Sequence, residues 1–217
     1  MQPTIVVRGE ASREVPPELA VFSVSVAVRG HDRPAVVAKL AERADELRAA
    51  LDAYGDAIER RATGNVRVHP EYQADSMRPS GYAGVVETSV TVTDFDKLEE
   101  MLPSLAVRDQ VSIFGPWWRL RPGSTAGAEV RRAAIADALA RAREYAAAVG
   151  ARIDRLVEIS DEVAGGMAPM AMRSLGAAAG SAAPVLQLDP QQQTVQASVL
   201  VRVTITEPDI AEPDLSE

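Results

Sequence analysis

The chain has 217 residues, no cysteine, a hydrophobic fraction of 47% with aromatics at only 4%, and a formal net charge of −8. That length can bury an ordinary core as one large domain or two intimately packed small ones without covalent staples, and the lack of cysteine excludes disulfides, thiolate metal sites and cysteine nucleophiles. Five of the net negative charges sit in residues 207–217, so the rest is close to balance and has no concentrated basic stripe for nucleic acid.

Met1-Gln2-Pro3-Thr4 runs straight into a first strand without the basic and apolar stretches of an export signal, so a soluble, cytoplasmic protein is expected. No run reaches the roughly 18 apolar residues of a membrane helix. The first strand, from Ile5, and a second, alternating from Phe22 to Val28, read as an amino-terminal hairpin broken at Pro16-Pro17, because proline fixes φ and donates no ladder hydrogen bond. Asp32 as N-cap, Pro34 in the first turn and Gly55 as a left-handed terminator frame a long helix. Val37, Leu40, Ala44, Leu47, Leu51 and Tyr54 form its predicted buried stripe. Lys39, Glu42, Arg43 and Glu46 belong to the solvated face.

A strand is predicted over 57–72 with a turn at Gly64-Asn65, then a polar loop over 76–81 and a strand over 82–93 with Val86, Thr88, Val90 and Val92 on one face. Thr93 with Asp96 reads as a capping box for a short helix carrying Leu98, Met101, Leu102 and Leu105, which Pro103 kinks or ends. A strand over 111–121 contains Trp117 and Trp118, of which alternation sends one to the core and one outward. From Thr125 an Ala-rich helix presents Ile135, Ala138, Ala142, Ala146 and Val149 and ends at Gly150, before a strand over 152–163. The alternation from Val195 to Ile205 marks the clearest strand, predicted to pair antiparallel with the amino-terminal hairpin.

Gly55-Asp56-Ala57-Ile58-Glu59-Arg60 recurs as Gly150-Ala151-Arg152-Ile153-Asp154-Arg155. The echo suggests an internal duplication, with halves at about 4–93 and 94–206; a helix-to-strand junction alone would also produce Gly-x-x-Ile-x-Arg. The expected fold is a single α+β domain over 4–206, with two strand-helix-strand units, mostly antiparallel sheets, two long amphipathic helices and one short one. A flexible Ala/Gly/Met loop over 163–184 and an acidic disordered tail over 207–217 complete the prediction.

No nucleotide-binding loop, nucleophile elbow, zinc-protease helix or EF-hand pattern is present, and no Ser-x-x-Lys occurs, since Val36 and Asp94 precede Lys39 and Lys97 at that spacing. His31 and His69 are isolated, so neither a metal nor another cofactor is expected. Asp94-Phe95-Asp96 resembles a metal-binding DxD but opens a helix, where its carboxylates serve as caps. The candidate functional residues are therefore an outward Trp117 or Trp118, as a protein contact, and Met167, Met170 and Met172, as part of an inter-subunit arm. Thioethers also bind Cu(I) and are oxidised sacrificially, which gives the methionines a second reading.

The Gly9, Pro17-Glu18 and Ala20 opening, Ile58 to Thr63, Val68-His69-Pro70-Glu71-Tyr72, Gly81-Tyr82, the Ala134-x-x-x-Ala138-x-x-x-Ala142 helix and the closing strand occur in an order that resembles the SIMPL domain (DUF541) family. The chain departs from its pattern at Pro17-Glu18, where Pro-Asp is usual, and at Arg108-Asp109-Gln110, where a Gly-Ala pair is common. The resemblance implies an α+β fold, homo-oligomerisation and roles like those of bacterial periplasmic immunogens, oxidative-stress-defence proteins and, in animals, kinase-pathway adaptors. Many relatives are exported. The expectation is a non-enzymatic, homo-oligomeric scaffold or binding module with a stress-response role, the alternatives being a Met-rich oxidant or copper scavenger and an enzyme without a recognisable motif.

Overall fold

The computed structural model describes residues 2–72, 78–161 and 186–209. Its elements are β1 (Thr4–Val15), β2 (Leu19–Gly30), α1 (Arg33–Asp52), a 3-10 turn (Gly55–Ala57), β3 (Ile58–Tyr72), β4 (Pro79–Val92), α2 (Phe95–Ala106), β5 (Val111–Arg119), α3 (Ala126–Ala148), β6 (Ile153–Asp161) and β7 (Gln193–Ile205). All strand pairings among the described residues are antiparallel, in two sheets of order β1-β7-β6 and β3-β4-β2-β5. The chain divides into two compact units that interleave in sequence: β1, α3, β6 and β7 form one, while β2 to β5 with α1 and α2 form the other.

The predicted amino-terminal hairpin does not form. The chain crosses from one unit to the other at Val15–Pro16, so β1 pairs with β7 while β2 pairs with β4 and β5. Proline's missing N–H and fixed φ break the sheet at this corner completely. Of the expected antiparallel pairing of the last strand with that hairpin, the part with its first strand forms, over twelve residues from Thr4↔Thr204 to Val15↔Gln193.

In the unit built on β7, the central strand turns Val199, Val201, Val203 and Ile205 toward α3, which buries Ala134, Ala138, Ala142 and Ala146 against them, with Val130 also buried on the helix. Val130 and Ala134 join the predicted stripe, whereas Ile135 and Val149 are only partly buried at its margin. A stripe of alanines brings the helix close to the sheet, and Gly9 of β1 completes the approach. A Cβ at Gly9 would lie 2.1 Å from the Ala134 carbonyl oxygen and 2.5 Å from the Ala138 nitrogen. Past β7, the Asp209 N–H donates to the Val149 carbonyl at 2.9 Å, tying residue 209 to the end of α3.

In the other unit, α1 covers Val24, Val26, Val28, Val86 and Val90 with branched side chains. Asp32 caps it as predicted, accepting from the Ala35 N–H at 3.0 Å. The buried stripe begins at Val36, however, and Val37 is 49% exposed. Glycine decides the phase: a Cβ at Gly30 or Gly84 would meet Val36 at 2.9 or 3.0 Å, so two absent side chains make the seat for Val36. Gly64-Asn65 makes no turn. β3 runs through it as one strand with a register shift between Thr63 and Val66, an irregularity of the bulge type. Helix α2 is capped by Asp94, which accepts from the Lys97 N–H at 3.1 Å, rather than by Thr93, whose hydroxyl donates to the Ala57 carbonyl. Pro103 lies inside α2 without ending it, and Leu98, Met101, Leu102 and Leu105 are buried as predicted.

The two units repeat one order of elements. β1, α3, β6, β7 and β2, α1, β3, β4 each run strand, helix, strand, strand along the chain, although the other unit intervenes between β1 and α3, and in each the last strand sits in the middle of the three. Each helix is followed by a glycine at positive φ, Gly55 at 49° and Gly150 at 68°, and then by an isoleucine that opens the outer strand. The Gly-x-x-Ile-x-Arg echo thus occupies the same junction in both.

Candidate functional site

Strand β5 is an edge of the four-stranded sheet and carries two irregular residues, Gly115 at φ 110° and Pro116. Its register against β2 shifts there: Ser23 opposes Phe114, but Val21 opposes Trp117. In an unbroken strand, Phe114 and Trp117 would point to opposite faces. The extra residue re-phases the strand, so Ile113 and Trp118 face the core, and Phe114 and Trp117 share the outer face. Trp118 packs edge-on against Phe95 with ring centroids 4.9 Å apart. Phe114 is 65% and Trp117 36% exposed, and they form a T-shaped pair at 5.0 Å. Of the two sequence candidates, Trp117 is the outward residue; Phe114 was not anticipated.

On the same outer face, Ser23 donates to Glu87 Oε1 at 2.5 Å, and cross-strand neighbours Ser25 and Ser89 extend the hydroxyl row. This face is therefore polar at its centre and aromatic at its β5 edge.

A small cleft of about 170 Å³ opens on the helical side of this unit. Its floor is Val26, Leu47 and Val111, and its rim is Arg43 and Glu46 of α1 with Arg108 and Asp109 of the turn before β5. Arg43 Nη1 donates to Glu46 at 2.7 Å, and this bond and charge hold the guanidinium above its ordinary pKa, with Glu42 and Asp109 adding to the effect. Arg43 Nε is buried without a hydrogen-bond partner. The turn is pinned to the sheet because Ala27 N–H donates to the Gln110 carbonyl at 2.9 Å, with Gln110 at φ 65°, a region that side chains other than glycine rarely adopt. In the other unit a polar groove contains Arg8, Glu10 and Ser198, but there Arg8 Nε donates to Ser198 at 2.8 Å and pairs with Glu10 at 3.1 Å.

Asp94 and Asp96 stand at the start of α2, with Asp94 acting as its cap. His31 is exposed between β2 and α1 and His69 is exposed within β3, and no group of three or more potential ligands converges among the described residues. Met167, Met170 and Met172, with the rest of the 163–184 segment, lie outside the described residues, as do residues 210–217. Among the described residues no helix is long and apolar enough to cross a membrane.

Among the described residues, two antiparallel sheets and three helices make an α+β protein with an aromatic patch at one sheet edge. The chain matches the SIMPL model, described as a protein of unknown function (DUF541), over residues 5–203, and it belongs to that family. No curated protein matches it.

Proposed function

We propose that this SIMPL-domain protein is a non-enzymatic binding module that works as a homo-oligomer, with Phe114 and Trp117 on the outer face of β5 as its self-association surface. The observation that carries the reading is the bulge at Gly115-Pro116, which brings two large aromatics onto one solvent-facing patch. Exposing aromatic surface in water is unfavourable, and aromatic residues are enriched at the buried centres of interfaces. Pro116 and the bulge also blunt the edge against open-ended strand addition, which favours closed association through the face.

The non-enzymatic part is supported by the structural tasks of the polar residues that sequence singled out: Asp32 and Asp94 cap helices. The stress-response role comes from the sequence resemblance alone. The test is light scattering on the wild type and on a Phe114→Ser, Trp117→Ser double variant at equal concentration, with a denaturation curve for each. A lower mass for the folded variant is expected; an unchanged mass overturns this surface as the interface.

A further inference from the structure

We infer that the cleft framed by α1, β2 and the α2–β5 turn binds a small aliphatic amino acid as its zwitterion. The inference goes beyond self-association and uses none of the residues assigned to it. Glu46 occupies Arg43 Nη1, while Nε, on the Nε–Nη2 edge, is buried without a partner. That edge is the fork a carboxylate accepts bidentately, and a buried N–H with no acceptor rewards any rearrangement that supplies one. Arg43 is partly exposed, its side chain at 38%, so a modest turn of the guanidinium brings the edge to the cleft.

The charges around the rim select the ligand. Arg43 and Arg108 offer two cations, while Glu46 and Asp109 offer two anions, so the rim is neutral in sum and complementary to a molecule bearing one charge of each sign. A phosphate dianion would meet two carboxylates and is disfavoured. The floor of Val26, Leu47 and Val111 accepts an aliphatic side chain. A volume of about 170 Å³ is below the usual range for drug-sized ligands and suits a single amino acid. The left-handed Gln110 adds an independent sign of construction: it holds Arg108 and Asp109 at the rim at a conformational cost of the kind that gathers at binding sites.

Calorimetric titration with L-leucine tests the inference on the full chain, beside 4-methylpentanoate, which lacks the ammonium, and 3-methylbutylamine, which lacks the carboxylate. Leucine should give a saturable isotherm below about 10 mM, and each singly charged analogue should bind at least about tenfold more weakly. Arg43→Gln and Asp109→Asn should weaken leucine by a similar factor while each variant keeps a cooperative melting transition. Absence of saturable leucine binding, equal binding of a singly charged analogue, or undiminished binding by both folded variants would overturn the inference. Each of these results leaves self-association through Phe114 and Trp117 to be judged separately, by mass.

Discussion

Gly9 of β1 lies directly beneath Ala138 of α3, so close that a Cβ on the glycine would sit 2.5 Å from the Ala138 backbone nitrogen. The obstructing atoms include main chain, which cannot rotate aside like the end of a flexible side chain. Gly9→Ala should therefore destabilise the protein by at least the usual overpacking cost, about 1–3 kcal/mol. The contrasting variant is Gly84→Ala, whose Cβ would meet only side-chain atoms of Val36, Leu40 and Val28, at 3.0 to 3.5 Å. Urea denaturation should rank Gly9→Ala as the more damaging; the reverse order would contradict backbone-limited packing of α3.

The bulge in β5 gives neighbouring tryptophans opposite tasks. Trp118→Ala removes a ring packed on Phe95 and the core, and it should cost about 3 kcal/mol. Under dilute, dissociated conditions Trp117→Ala loses chiefly the edge-to-face contact with Phe114, worth about 1 kcal/mol. Equal destabilisation in thermal or chemical melts would mean that the two rings are not segregated in this way.

Strand β7 lies between β1 and β6, and its Val201 and Val203 are fully buried. A chain ending at residue 192 would leave both neighbours and the apolar face of α3 uncovered, so it should lose cooperative unfolding. A sharp transition at the wild-type temperature in the truncated chain would contradict β7 as the organising strand.

These predictions draw unequally on what was legible in the sequence. The alternation from Val195 to Ile205 identified β7 and its pairing with β1, because a half-buried strand must alternate. The cap at Asp32 was equally readable, since unsatisfied N–H groups at a helix start demand an acceptor, whereas the box read at Thr93 and Asp96 lies one residue off the actual cap, Asp94. Val36 was missed because its phase is set by Gly30 and Gly84, one of them nearly fifty residues away. Phe114 was missed because strict alternation places it opposite Trp117; the local signal was Gly115-Pro116, a pair that marks a bulge inside a strand. The cleft could not be seen at all, for Arg43 and Asp109 share no motif and meet only through the fold.

Gln110 supplies a stability test that is independent of association. At φ 65° its side chain costs roughly 1 kcal/mol relative to glycine, so Gln110→Gly should stabilise the chain by up to that amount despite glycine's greater freedom when unfolded. A clear loss of stability would show that the Gln110 side chain makes a contact worth more than the strain.

Self-association is tested most directly by the mass of the wild-type chain in solution, measured by multi-angle light scattering at tens of micromolar, where an interface of micromolar affinity is largely formed. The expected result is a discrete multiple of 23.1 kDa that falls on dilution or on replacement of Phe114 and Trp117. A mass of 23.1 kDa throughout that range would contradict the oligomeric reading.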